Sequence, residues 1–254
     1  MELAYEADEA LNTVGPRWRR AVERGQIEWE DYSNFAMVSR FAAGAMGLPF
    51  MPVRSLLGSD VLGQEALSPK QRAADPRTPV KKAAVIESPF NPGERVVLVP
   101  AIHTEFAVIH VQKASPQGTV RLEGQTFADV QQALCAAVVI VTAEEIVDDD
   151  SLRREPERNP LPYFAVHHVC HVPWGAHPYA VFNYYDYDPR QLKLYHESAA
   201  DEDAYHQYLE RFVYGVRNHA AYLEAVGGPA RLESLRAAPA FGYRPDLKRR
   251  GLDA

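Results

Sequence analysis

Ser33 and Asn34 stand at the head of a helix-forming stretch, and Arg54 follows about 20 residues later, after a prolyl segment that cannot prolong that helix. The free N–H groups of a helix's first turn, together with its positive dipole end, attract anions. A guanidinium facing the same turn would complete a clamp for a carboxylate. The surrounding run "GLPFMPVRSLLGSD" (47–60) otherwise reads as interior. A half-buried Arg54 must therefore find an anion, because leaving the charge unpaired is costly. That anion belongs either to a ligand or to a structural carboxylate, with Asp31 and Asp60 close by in the chain.

A second set of polar residues follows two apolar runs. His110 and Gln112 come after "FAVI", and Thr142, Glu144 and Glu145 come after "VVIV". In open α/β sheets ligands gather at the carboxyl ends of parallel strands, which is where these residues would lie. Each also has a structural reading, as a hydrogen-bond partner within the fold. "HHVCH" (167–171) invites a metal, yet it has no second ligand pair at zinc spacing, and alternate strand residues point to opposite faces, so none is expected. Glu105 is either an acid or base at a strand start or a solvated loop charge. The aromatic, acidic turn "NYYDYD" (183–188) is read as packing or as an interface. The chain has neither a glycine-rich phosphate loop nor a nucleophile elbow.

The elements that must position these groups follow from periodicity. "GPRWRRAVERG" (15–25) reads as a short helix between Pro16 and Gly25. "DYSNFAMVSRFAAGAMG" (31–47) reads as a second, with Asp31 or Ser33 as its cap and Gly47 as its stop. Its apolar residues surround most of the cylinder, which predicts a largely buried helix. A proline-rich excursion runs over about 61–95 and includes a hairpin of "VKKAAVIES" and "ERVVLVP". "FAVIHVQ" (106–112) reads as a parallel strand buried on both faces, followed by the helix "FADVQQALCAA" and the strand "VVIVTAEEIV", a right-handed βαβ unit. "FAVHHVCHV" (164–172) is a further strand. The stretch 201–227 carries one apolar helical stripe from Tyr205 to Leu223, capped by Asp201 and ended by Gly227. The expectation is an α/β fold, an open and mainly parallel sheet with flanking helices, in a single domain over 1–254.

Bulk properties narrow the function. The chain has 254 residues and a formal net charge of −7, which argues against non-specific nucleic-acid binding. No run approaches the length of a membrane span. The acidic opening "MELAYEADEALNT" is unlike a signal or transit peptide, and the two cysteines, Cys135 and Cys170, suit a reducing cytoplasm.

Longer blocks add a resemblance. "YSNFAMVSRFAAGAMGLPFMPVRSLLGSDV", "ERVVLVPAIHTEFAVIHVQKASPQG", "VVIVTAEEIVD", "VPWGAHPYAVFNYYDYD" and "FVYGVRNHAAYLEAVGG" together resemble the A (alpha) subunit of family I CoA-transferases of the glutaconate type. The match runs in order through nearly the whole chain. It implies a partner B subunit, usually in an A2B2 assembly, and transfer of CoA between a thioester and a free carboxylic acid. Coenzyme A is then a substrate, and no resident cofactor or metal is implied. In the family a B-subunit glutamate in a Ser-Glu-Asn-Gly-like motif is the nucleophile. This chain has no Glu-Asn dipeptide, in keeping with the alpha role. The resemblance also implies that Ser33, Asn34 and Arg54 face the acyl pocket. With His110 and Gln112 they form the candidate substrate-binding set, suited to a dicarboxylic acyl group such as glutaconate. Alpha subunits of the family begin with further strands and a Gly-Gly-Phe-type loop, whereas the matching region here starts almost at Met1, so a sheet lacking those strands is expected.

Three other readings compete. Related pairs act as ring-opening hydrolases of CoA thioesters in steroid breakdown, with an acidic residue near the position of Asn34. An amide there cannot act as a base, which favours transfer. A truncated subunit that supports its partner without catalysis, and a monomeric ligand-binding module, are the others.

Overall fold

The computed structural model describes residues 2–4, 6–7 and 13–247. The remaining residues of the acidic opening and the last seven lie outside the described residues. The chain enters through β1 (Glu2–Leu3), which pairs in parallel with β2 (Glu30–Asp31) across α1 (Pro16–Glu23). Then comes α2 (Asn34–Ala45), capped by Ser33, whose hydroxyl accepts a hydrogen bond from the Ala36 N–H.

The proline-rich segment holds more order than its composition promises. β3 (Phe50–Val53), α3 (Asp60–Gly63), α4 (Pro69–Ala74), β4 (Ala84–Glu87) and β5 (Arg95–Pro100) follow in turn. The expected hairpin forms from β4 and β5, and β3 joins it in an antiparallel sheet of order β3-β5-β4. Pro52 is tolerated because β3 is an edge strand.

The second sheet contains β6 (Thr104–Ala114), β7 (Val120–Arg121), β8 (Ala136–Ile146) and β9 (His168–His171), in the order β7-β6-β8-β9. β6, β8 and β9 are parallel, and α5 (Asp129–Leu134) makes the crossover between β6 and β8. The βαβ unit is therefore present. Ile109, Val111, Val139, Val141 and Ala143 point to one face and pack with Ala133 of α5 and with Leu161. Burial on both faces does not hold. Phe106 and Val108 point the other way and are 62% and 68% exposed, beside Val138 and Ile140 in register. α5 covers one side only, and among the described residues nothing covers this half of the other.

α2 is likewise less buried than its composition predicts. Ala36, Met37, Ser39, Arg40, Ala43 and Gly44 are buried, while Phe35 and Met46 face water. Gly44 is where α2 approaches most closely, since a Cβ there would overlap the Ile102 carbonyl oxygen and touch Cys135. In an open helix Gly→Ala stabilises by about 1 kcal/mol. Here the sign reverses: Gly44→Ala is expected to cost about 1–3 kcal/mol in thermal unfolding, as overpacking does.

After α6 (Asp149–Arg153) and β9, the chain finishes in α7 (Pro189–Ala199), α8 (Glu202–Leu209), α9 (His219–Ala225) and α10 (Gly228–Glu233). The single helix expected over 201–227 is broken. Asp201 caps α8 as expected, but Glu210–Tyr214 widen into a π-turn that ends at Gly215, and Asn218 caps α9 afresh.

Candidate functional site

The head of α2 is built by a turn after β3. Leu57 N–H bonds the Arg54 carbonyl and Ser59 N–H bonds the Leu56 carbonyl, with Leu56 at φ 79. That turn carries Ser55 back onto α2, where its hydroxyl bonds the Ser33 hydroxyl. Asn34 is the first helical residue and is exposed. The chain thus doubles back, but Arg54 is not half-buried: its side chain is 79% exposed. Its guanidinium bonds Glu94 of the second hairpin arm, and neither Asp31 nor Asp60 is its partner. Glu94 also accepts from Asn91 Nδ2 at 2.6 Å. Hydrogen bonds from Arg54 and then Asn91 hold its carboxyl below the usual range. An exposed pair of this kind is screened by water and exchanges readily.

His110 lies at the other centre. It stands opposite Thr142 in the β6–β8 register, with Nδ1 2.8 Å from Thr142 Oγ1. Its Nε2 is 2.7 Å from Oε1 of Glu144, a residue that is 5% exposed. Two more donors close on the same carboxylate. Tyr185 Oη–H donates to Oε1 at 2.6 Å, and the Trp174 N–H donates to Oε2 at 2.8 Å. Burial pushes the Glu144 carboxyl up, but the bonds from His110, Tyr185 and Trp174 outweigh it and hold the group below its ordinary value. Glu144 is thus ionised, and His110 Nε2 carries a hydrogen toward it. Trp174 adopts φ 62 and stacks on Tyr185 with ring centroids 4.3 Å apart. A Cβ at Gly175 would meet His110 Cε1 at 2.6 Å, so this turn closes directly over the imidazole.

Gln112 has its polar atoms occupied. Its Nε2 donates to the Glu123 and Phe182 carbonyls at 3.0 and 3.2 Å, and its Oε1 accepts from the Glu123 N–H at 2.9 Å. It ties β6 to two loops. Among the described residues no hydrogen bond or ion pair joins the α2 group to the His110 group.

The other flagged residues serve the fold. His167 Nδ1 accepts from the Val139 N–H at 3.1 Å, and His171 Nε2 lies 3.2 Å from the Glu144 carbonyl. Among the described residues no cluster of His, Cys, Asp and Glu could hold a metal ion. Cys135 and Cys170 are both free thiols. Glu105 pairs at the surface with Arg77 at 2.9 Å. In "NYYDYD", to which the sequence assigns no chemistry, Tyr185 proves to be a member of the Glu144 network. Alternation gave the one available signal, because Glu144 is two residues beyond Thr142 and so shares the face of His110.

Parallel strands with a crossover helix on one face, and polar side chains in the carboxyl-terminal halves of β6 and β8, define an α/β protein of the kind whose ligands gather toward that side of the sheet. Comparison with known proteins narrows this. The sequence pattern of the Coenzyme A transferase family matches residues 3–171, and the chain belongs to that family. It is 37% identical over 243 residues to the alpha subunit of the glutaconate CoA-transferase of Acidaminococcus fermentans, covering 96% of this chain and 76% of the relative. It is 34% identical over 209 residues to the corresponding subunit of the 3-oxoadipate CoA-transferase of Pseudomonas knackmussii, covering 81% and 68%. The crystal structure of the Acidaminococcus fermentans glutaconate coenzyme A-transferase superposes with a TM-score of 0.91 over 96% of this chain and 77% of that one. The fold expected from the resemblance, mixed α/β with flanking helices, agrees with that superposition. No helix among the described residues is long and apolar enough to cross a membrane.

Proposed function

We propose that the chain is the alpha subunit of a heteromeric CoA-transferase, working in the cytoplasm with a B subunit in an A2B2 assembly. The agreement in sequence and fold over 96% of the chain with the alpha subunit of a glutaconate CoA-transferase carries this reading. The reaction moves coenzyme A between an acyl thioester and a free carboxylic acid. A glutamate supplied by the partner chain attacks the thioester carbonyl, releasing CoA thiolate and leaving a mixed anhydride. The thiolate then attacks the glutamyl carbonyl of the anhydride, freeing the first acid and storing CoA as an enzyme thioester. The second acid takes up CoA by the same steps in reverse.

This chain's part is to hold the acyl group. The hydroxyl pair Ser33–Ser55 and the exposed Asn34 present a polar helix start, and Arg54 supplies the charge. Binding there fixes the thioester for attack, the kind of positioning that lowers a barrier without new chemistry. His110 and Gln112, on β6, complete the proposed substrate-binding set, the imidazole held by Glu144 and Gln112 tying the strand to two loops. The acyl group that fits an arginine so placed is a dicarboxylate.

The test is CoA exchange by the copurified pair, this chain with a partner bearing a Ser-Glu-Asn-Gly-like motif, from glutaconyl-CoA to acetate. Exchange that requires the acceptor acid supports transfer. Thioester loss that ignores the acceptor indicates a hydrolase, and no turnover defeats the reading. Arg54→Ala is expected to raise KM for the dicarboxylic acyl-CoA about tenfold to a hundredfold, the loss of one charge-assisted bond, while Tm stays put. A fall in Tm with unchanged kinetics would assign Arg54 to structure instead.

A further inference from the structure

Away from both centres, a cavity of about 330 Å³ opens between the first turns of α7, the π-turn and the α9–α10 corner. Three arginines, Arg190, Arg211 and Arg231, are among the residues that line it. One acid lines it, Asp188, and that acid is already neutralised. Asp188 is buried, and its oxygens accept from the Arg231 guanidinium, from His177 at 3.2 Å and from the N–H groups of Arg190 and Gln191 at 2.9 and 3.2 Å. Burial opposes its charge, but bonds from His177 and Arg231 hold the carboxyl well below the usual range, so it stays ionised and engaged.

Among the described residues Arg190 and Arg211 have no carboxylate partner. Their side chains enter no ion pair there, although Arg17, Arg40, Arg72 and Arg121 each find an acid in a chain of net charge −7. Arg211 lies over the Phe212 ring at 4.8 Å, an arrangement that leaves the edge of the guanidinium free to donate. Phe212 and Leu194 give the cavity an apolar floor. The π-turn that brings Arg211 and Phe212 into the wall is closed by the Gly215 N–H bonding the Glu210 carbonyl at 2.8 Å, and such turns are rare and concentrate at functional sites.

We infer that this cavity is an anion site for a phosphate group, held between Arg190 and Arg211 with the Asp188–Arg231 pair as its fixed back wall. Arginine forks match the tetrahedral oxygens of phosphate by paired N–H···O bonds. The volume admits inorganic phosphate or the phosphate end of a small ester. The inference is independent of the acyl pocket and of the transfer reaction.

The test is calorimetric titration of the full chain with inorganic phosphate, AMP and coenzyme A at low ionic strength. All three share the phosphate chemistry, so the tightest of them identifies the source. Binding by any one supports the site if Arg190→Ala/Arg211→Ala weakens it at least tenfold. Arg154→Ala, which removes an exposed arginine outside the cavity, should leave it unchanged. If none of the probes binds, or the double variant binds as well as the parent, the site does not exist, and any affinity is general charge attraction or, for coenzyme A alone, belongs to the transfer site. Both substituted arginines are exposed, so Tm of the variant should match the parent and the comparison remains readable.

Discussion

Glu144→Ala is expected to cost about 3–5 kcal/mol, seen as a fall in Tm of about 10 °C or more. The carboxylate is the common acceptor for His110, Tyr185 and the Trp174 N–H. Alanine leaves the three donors without this acceptor in a largely buried place, where the desolvation penalty of the Tyr185 hydroxyl and the Trp174 N–H counts in full and that of the half-buried His110 in part. Glu144→Gln should cost less, because the amide oxygen still accepts, but its NH₂ meets donors and one bond is lost. The effect also has a pH signature. Hydrogen bonding lowers the folded-state pKa of Glu144 beneath the ordinary 4.5. Its contribution is therefore full above that value and drains away as pH falls through the depressed folded pKa. Denaturant unfolding at neutral pH and again well below pH 4.5 should show the gap between parent and Glu144→Gln narrowing with acid. A constant gap would mean that the charge of Glu144 contributes nothing.

Glu30→Ala should be as severe, for a different reason. Glu30 is fully buried on β2 and receives the guanidinium of Arg72 from α4, itself 4% exposed, with the Tyr32 hydroxyl 3.4 Å away. Removing the acid leaves a buried cation with one remaining hydrogen-bond partner among the described residues, the Pro79 carbonyl at 3.0 Å. A loss of about 3–5 kcal/mol follows. It should begin locally, since Arg72, through Glu30, and the Lys82 carbonyl, which accepts from the Tyr32 hydroxyl at 3.2 Å, anchor the proline-rich segment to the body. Limited trypsin digestion should cut the variant first at Lys70, Arg72 or Arg77. Replacing both Glu30 and Arg72 with Met should recover much of the loss, because an apolar pair needs no compensation. If the double variant is no better than the single, the cause is packing and not the unpaired charge.

What could be read from the sequence was local. The Ser33 and Asp201 caps, the β6–α5–β8 unit and the β4–β5 hairpin each depend on a few neighbouring residues, and each appears as expected. What escaped was set by long-range pairing. Pro52 disguised β3, which only its edge position permits. Arg54 finds Glu94, 40 residues on, in place of the nearer Asp31 or Asp60. Tyr185 reaches Glu144 across 41 residues. Charge in a proline-rich stretch reads as surface, so the burial of Arg72 and Lys82 left no trace in composition. The apolar stripe of the last helical region was legible as far as Gly215, where a Cβ would overlap the Glu210 carbonyl oxygen and the spacing resets.

Phe106 and Val108, flanked by Val138 and Ile140, leave half of one sheet face wet. Such a patch makes the free polypeptide colloidally precarious, since two copies gain by pressing their bare faces together. The net charge of −7 opposes that approach through mutual repulsion over a Debye length of about 30 Å at about 0.01 M salt. Salt removes the repulsion and leaves the attraction, so the lone chain keeps best in dilute buffer and clouds as electrolyte is added.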